Sequence, residues 1–522
     1  VSSSTGPADR AHPVSLAPEA AGALRKALAP WTVDAVEELL GERATRALAR
    51  EQTVPALLEA RRSPSTVSTL TRLFMLGDAV QHADAADALG AFGVDGATAA
   101  GLVESAGASG GEVRARVDLR PTAAVGADGA TAAHWWVASD RGEAVTGSRL
   151  ADDHVLGIGG ASTTLAGATM RTPTGRVLDL GTGCGIQALH ASTHAQHVTA
   201  TDISRRALSF AAFNRALNAP PAEWDLRLGS MLEPVVGEEF DLVVSNPPFV
   251  ITPPGAPSFE YRDGGLGGDG IVASLVRTVG TVLAPGGVAQ HLGNWEVRRG
   301  EAWSDRLGAW LGSSEVPLDA WVIQRDLLDA AEYAETWLRD AGVTPERDRE
   351  GFRAAYEAYL ADFDARGVEA IGFGVVTLRR PTLGPPTLRR LEEHEGPIVG
   401  PLGATLADAL VAHDWVASRD DQELLATTFM VADDVTKETY GRATEHEPEH
   451  ILIRQGRGLQ RSVRADTALA GFVSTCDGEL AAGQISGALA ALLDVSTADM
   501  ATGLARAIRG LVEDGFLVPV QS

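Results

Sequence analysis

The sequence predicts an α/β core, preceded by helical segments and followed by an α+β segment, and three stretches carry that expectation. The apolar run Arg176-Val177-Leu178-Asp179-Leu180 enters the glycine turn Gly181-Thr182-Gly183-Cys184-Gly185 and then a helical pattern from Ile186. A second run, His197-Val198-Thr199-Ala200-Thr201, ends in Asp202. A third, Phe240-Asp241-Leu242-Val243-Val244, ends in Ser245-Asn246-Pro247-Pro248-Phe249. Buried strands alternating with helical patterns define this class.

Each stretch also carries chemistry. Two prolines cannot donate to a strand ladder, so they end the third strand and leave the Asn246 side chain and nearby carbonyls as acceptors toward a cleft. Phe249 adds a flat face. Together they suit a planar group bearing an NH2, although an Asn-Pro turn that merely ends a strand reads the same way locally. The glycine turn lets backbone NH groups and a helix N-terminus approach a ligand, a feature shared with nucleotide-binding dehydrogenases. Asp202, closing the next strand, is placed to accept bonds from vicinal ribose hydroxyls. A ribose-bearing cofactor is expected.

On these motifs, residues 155–380 resemble the class I S-adenosylmethionine-dependent methyltransferases, in the branch with an Asn-Pro-Pro-aromatic signature that methylates planar nitrogens. The run from Asn246 to Pro254, with the glycine-rich residues 263–270 after it, is most similar to archaeal and eukaryotic glutamine methyltransferases of peptide release factors. The resemblance implies a Rossmann-like class I methyltransferase sheet and S-adenosyl-L-methionine as cofactor. It implies that Asp179, Gly181, Thr182, Gly183 and Gly185 hold the methionine part and that Asp202 holds the ribose. It further implies that Thr163 lies beside cofactor and substrate, with Ser162 replacing an acid. Ser230 stands where the family often has an Asp facing the adenine amino group.

The resemblance makes Asn246, Pro247, Pro248 and Phe249 the catalytic group. An amide nitrogen is a poor nucleophile, because its lone pair is delocalised, so positioning must supply most of the catalysis. Acceptors at the Asn246 side chain and the Pro247 carbonyl would hold the NH2 and aim the nitrogen at the methyl group. No metal is required; His190, His194 and His197 read as a helix and its exit rather than a zinc site.

Composition sets limits. A chain of 522 residues implies two to four domains. No apolar run approaches a membrane span, and the first thirteen residues are unlike a signal peptide. Two cysteines, Cys184 and Cys476, fit a reducing cytoplasm better than a disulfide framework. A net charge of −25 excludes a nucleic-acid glove over the whole surface. The basic residues Arg454, Arg457, Arg461 and Arg464 read as a solvated or partner-facing surface more readily than an RNA track, since no aromatic residues interleave them.

The expected organisation is a disordered tail at 1–12, a helical N-terminal domain at 13–110, a β-rich bridge at 111–154 and the methyltransferase domain at 155–380, with a helical insertion at 327–367. A C-terminal α+β domain at 387–522 would be winged-helix-like at 478–520. In the N-terminal domain, Ser63 is expected to cap a helix that starts at Pro64, and helical patterns run from Trp31 to Glu51 and from Ala83 to Ala106. Ala320 to Gln324 and Ile371 to Leu378 are expected to be the last strands. Three function classes follow: a protein-glutamine N-methyltransferase acting on a translation factor, an enzyme methylating guanine N2 or adenine N6 of ribosomal or transfer RNA, and a non-catalytic scaffold. Oligomeric state is not readable from the sequence.

Overall fold

The computed structural model describes residues 12–107, 110–126, 130–147, 150–254, 262–263, 265–442 and 448–520. The tail expected at 1–12 lies outside them, apart from His12. Two compact units emerge, the first running to Glu393 and the second from His394, with residues 167–172 grouped with the second.

The first unit is organised on one eight-stranded sheet, whose strands are β1 (Thr174–Leu180), β2 (Ala195–Asp202), β3 (Glu223–Leu228), β4 (Phe240–Ser245), β5 (Leu283–Arg298), β6 (Asp319–Asp329), β7 (Val368–Arg379) and β8 (Arg389–Glu393). Their order across the sheet is β8-β6-β7-β5-β4-β1-β2-β3. Every pairing is parallel except those of β7, which runs antiparallel to β5 and β6. Flanking helices are α1 (Gly160–Ala168), α2 (Ile186–Ala191), α3 (Arg205–Asn218), α4 (Gly270–Thr278), α5 (Trp303–Gly312), α6 (Ala330–Asp340) and α7 (Arg349–Arg366). The central strands read as continuous apolar runs because helices cover both faces. Leu178, Val243 and Ala289, opposite one another in register, share a buried cluster with Val272, Leu275 and Val276 of α4.

Three local expectations are corrected. Ser63 ends the helix Thr53–Arg62, so it cannot open the next one; Ser65 caps Thr66–Leu70 by accepting from Ser68 N at 3.1 Å. The helical pattern from Ala83 breaks at Gly90, resumes over Gly93–Ala99 and ends before Gly101, which takes φ +78° where a Cβ would meet Pro13 O at 2.3 Å; Val103–Ala106 becomes a strand paired with Glu112–Ala115. The sheet does not end at β7. Residues 389–393, expected in the C-terminal domain, return as β8 beside β6, with Trp321 Nε1 donating to Glu392 at 2.7 Å across the added pair.

A β-hairpin, Asp118–Val125 with Thr131–Ser139, occupies the expected bridge. Two asparagines of α3, four residues apart and so on one face, bind it as a further strand would. Asn214 Oδ1 accepts Ala138 N at 2.8 Å, and its Nδ2 donates to Ala138 O at 2.9 Å and to Cys184 O at 2.7 Å. Asn218 Oδ1 accepts Trp136 N at 2.9 Å while its Nδ2 donates to Trp136 O at 2.8 Å. Trp136 Nε1 in turn donates to Trp31 O at 2.8 Å, which reaches the N-terminal helices.

The expected insertion is the pair α6 and α7. Tyr333, Tyr359 and Phe363 are fully buried in it, and Tyr333 stacks on Phe373 of β7 with centroids 5.8 Å apart.

The second unit packs the helices Leu402–Ala417, Ala482–Leu492 and Thr497–Glu513 with two three-stranded sheets. Leu504, Ile508 and Leu511 line its core, and Leu492, where its helix ends, is 79% exposed. Two of the four arginines in the series are matched by acids, Arg454 by Glu438 at 3.6 Å and Arg461 by Asp514 at 3.3 Å.

Asn214→Ala strips partners from buried backbone groups of Ala138 and Cys184. It should cost about 2–4 kcal/mol of stability, read as a lower denaturant midpoint. An unchanged midpoint would show that the docking of the hairpin does not depend on this side chain.

Candidate active site

Because β1 and β4 are parallel neighbours with Leu180 opposite Ser245, the turn at 181–185 and the segment at 246–249 leave the same end of the sheet side by side. Ser245, buried, donates from Oγ to Leu180 O at 2.8 Å and ties the two strand ends. The chain leads from β1 toward β2 on one side and from β4 toward β5 on the other, which makes this the switch point where open α/β sheets take ligands.

The glycine turn is shaped by three positive φ values, +73° at Gly181, +56° at Gly183 and +85° at Gly185. At Gly185 a Cβ would also press on Ala211 and Trp224 Cζ3, both at 3.3 Å. Beneath the turn Asp179 is fully buried; its Oδ2 accepts Thr182 Oγ1 at 2.6 Å and Ala188 N at 2.9 Å. Burial pushes its carboxyl up to about 7 in spite of those bonds. Burial likewise lifts the Cys184 thiol to about 12, which leaves it protonated and inert.

Asp202 ends β2 half-exposed. Its Oδ2 accepts Gly183 N at 2.9 Å and its Oδ1 accepts Ser204 N at 2.8 Å, so each oxygen keeps a lone pair for a ligand, while burial raises its pKa. Gly229 N donates to Asp202 O at 3.0 Å, which brings Ser230 to the same edge. Between them Ile203 stands 64% exposed, an apolar surface beside the carboxylate that the sequence reading passed over.

Thr163 sits exposed on α1, its hydroxyl donating to Gly159 O at 3.2 Å. Ser162 beside it is buried, and its carbonyl accepts Gln187 Nε2 of α2 at 2.8 Å. The position that an acid would occupy therefore faces the protein interior, where a carboxylate would be costly.

Asn246 is half-buried, and its Oδ1 is enclosed with no hydrogen-bond partner. Pro247 is buried, Pro248 is half-exposed, and the ring of Phe249 bridges the cluster under α4 and the one around Tyr333. The following residues are stitched down: Val250 N donates to Arg262 O at 3.0 Å, Ile251 N to Tyr333 Oη at 2.7 Å, and Thr252 Oγ1 to Asp263. The helical insertion thus holds the segment after Asn246. Beyond it, Glu296 is wholly buried among Arg298, Arg306 and Arg366, and Asp269, paired with Arg306 at 2.6 Å, accepts Glu296 N at 2.9 Å. That network anchors the exit of the glycine-rich segment at 265–269 on β5.

Sequence reasoning missed two further groups. His291, opposite Ser245, has its pKa pushed down to about 4 by burial; Nδ1 lies 2.8 Å from Leu292 O and Nε2 has no partner. Asn294 is also fully buried. Their signal was present: His and Asn inside the apolar continuation of a central strand demand a polar reason. Among the described residues no three His, Cys, Asp or Glu side chains form a metal-holding group, and no helix is long and apolar enough to cross a membrane.

Residues 158–254 match the family described as "Methyltransferase small domain", and residues 28–116 match a "Domain of unknown function (DUF7059)". A ribosomal protein uL3 glutamine methyltransferase of Bradyrhizobium diazoefficiens is 31% identical over 34% of this chain and 59% of its own length. Release factor glutamine methyltransferases of Xylella fastidiosa and Cereibacter sphaeroides are 40% and 37% identical, over 22% and 23% of this chain and 46% and 47% of theirs. The chain thus spans about half the length of these relatives, all of them bacterial. The strand order β3-β2-β1-β4-β5-β7-β6, parallel except for β7, is that of a Rossmann-like doubly wound sheet.

Asp179 carries a pH signature. A carboxyl whose folded pKa lies near 7, above its unfolded value near 3.8, contributes stability that is full below the lower value and lost as pH rises through the upper. Between pH 5 and pH 8 the native chain should lose about 2–3 kcal/mol more stability than Asp179→Asn, by denaturant titration at each pH. Parallel losses in the two proteins would place the ionisation elsewhere.

Proposed function

We propose that the chain is an S-adenosyl-L-methionine-dependent N-methyltransferase (EC 2.1.1.-) that methylates the side-chain amide of a glutamine in a protein. The observation that carries this reading is the enclosed, unpartnered Asn246 Oδ1 at the switch point beside the glycine turn. A buried acceptor without a donor costs about 1–3 kcal/mol, a cost offset only when a ligand supplies the hydrogen.

The residues fit the cofactor. Gly181 N and Thr182 N already donate to Thr201 O, Gly183 N to Asp202 and Gly185 N to Thr182 O, so the turn offers its side-chain-free glycine backbone as a surface; the free lone pairs of Asp202, the apolar face of Ile203 and Ser230 stand along the same end of the sheet, and Thr163 borders it from α1. When bound, the cofactor supplies an electrophilic methyl group on sulfur. The chain's part is positional. Asn246 Oδ1 and the Pro247 carbonyl accept the two NH bonds, Pro248 shapes the rim, and Phe249 packs on the plane of the amide. As the new nitrogen–carbon bond forms and the carbon–sulfur bond breaks, positive charge grows on nitrogen; these acceptors bind it more tightly than the ground state until one proton leaves to solvent.

Likeness to glutamine methyltransferases of release factors and of ribosomal protein uL3 supports a protein of the translation apparatus as substrate and, with it, the cytoplasm as the place of action. The reading of kinship to archaeal and eukaryotic enzymes rests on residues 246–254 and the glycine-rich residues 263–270, while the relatives reported above are bacterial. Methylation of ribosomal or transfer RNA is the second reading, and the acids paired with Arg454 and Arg461 weigh against it.

The test is transfer of tritiated methyl from the cofactor into lysate. Label should enter a protein band and appear as methylglutamine after digestion. Asn246→Ala should lower turnover at least about 100-fold, equivalent to about 3 kcal/mol of barrier, with cofactor affinity retained. Label in RNA, or wild-type turnover by the variant, would refute the assignment.

A further inference from the structure

A primary amide offers two handles, an NH2 that donates and a carbonyl that accepts, whereas Asn246 grips only the first. A second asparagine is in place for the other. Asn294 on β5 is completely buried; its Nδ2 lies 3.1 Å from Tyr333 Oη, and its Oδ1 has no partner. Tyr333 Oη already accepts Ile251 N at 2.7 Å. In that orientation two donors meet one hydroxyl, the phenolic proton has no acceptor and an amide oxygen is stranded. The two ends of an asparagine amide have nearly the same shape, so hydrogen bonding decides their assignment. Turning the Asn294 amide over lets Tyr333 donate to Oδ1 and removes both deficits at once. What is left is a single buried NH2 group with hydrogens to give.

That donor belongs to the neighbourhood of Asn246. Tyr333 links Asn294 directly to Ile251, five residues after Asn246. β5 lies beside β4 with His291 opposite Ser245. Asn294 is three residues beyond His291 and Asn246 one beyond Ser245, an offset of about 7 Å along the strands. A carboxamide with a hydrogen bond at each end spans roughly 8 Å.

We infer that Asn294 donates from Nδ2 to the carbonyl oxygen of the substrate's side-chain amide and so selects a primary amide over amines that lack a carbonyl. The inference rests on the glutamine reading above, and it names the group that makes glutamine the substrate. Asn246 holds the reacting nitrogen, Asn294 fixes the rotation of the amide about its C–C bond, and Tyr333 holds Asn294 in the donating orientation.

The test uses the full-length chain and a glutamine-bearing peptide that the wild type methylates. Asn294→Ser and Asn294→Leu should lower kcat/KM for that peptide about 30-fold or more, while cofactor affinity, by titration calorimetry, stays within about two-fold. Asn294→Asp separates donation from packing. As a carboxylate it repels the carbonyl, and as a neutral acid it donates, so its activity relative to wild type should rise as pH falls from 8 to 6. Variants that bind cofactor and turn over the peptide at the wild-type rate, or an Asp variant with a flat activity ratio across pH, would overturn the inference. A wild type that labels RNA and no glutamine peptide would overturn the glutamine reading itself, an outcome visible before any variant is made.

Discussion

The register between β1 and β4 governs everything at the end of the sheet. Leu180 opposite Ser245, closed by a buried hydroxyl-to-carbonyl bond, sets the glycine turn and the Asn-Pro-Pro segment at one height. A slip of one residue would turn Asp179 and Ser245 to the opposite faces of the sheet. Asp179 would lose Thr182 and Ala188, the turn would lose its inner prop, and Asn246 would leave the cleft. The apolar register partners below, Val177 with Leu242 and Leu178 with Val243, make such a slip expensive, so the core fixes the geometry of the polar groups above it.

Polar groups are admitted to this interior in two ways. Asp179, Glu296 and Asn214 are bonded on several sides and serve the scaffold. Asn246 and Asn294 each have an end without a partner, and they stand on adjacent strands where the sheet opens. Fully bonded groups rigidify, whereas in the function proposed above the unpartnered ends of Asn246 and Asn294 meet the substrate amide. The insertion of α6 and α7 joins the two kinds, since Tyr333 is locked in an aromatic cluster while its hydroxyl holds both Ile251 and Asn294.

Much of this was legible in the chain because local patterns and tertiary roles coincide at the central strands. The strand ending in Asn246, the turn from Gly181 to Gly185 and the carboxylate of Asp202 announce themselves by residue type and order. What escaped depended on partners distant in sequence. Arg389–Glu393 is too polar to look like a strand, yet it pairs at the sheet's edge, where exposed charged side chains are tolerated. Asn294 lies within an otherwise apolar stretch of strand, but its meaning comes from Tyr333, 39 residues later. Ser63 carried a capping signal with no means of telling which of two consecutive helices it served.

The clasp between α3 and the hairpin has a mechanical corollary. One amide, that of Asn214, bonds both Ala138 in the ribbon and Cys184 in the glycine turn, with no slack between them. Any force that lifts the ribbon is therefore passed to the floor of the turn within a single side chain's length. A protein that leaned on the hairpin would alter the pitch of the loop without touching it.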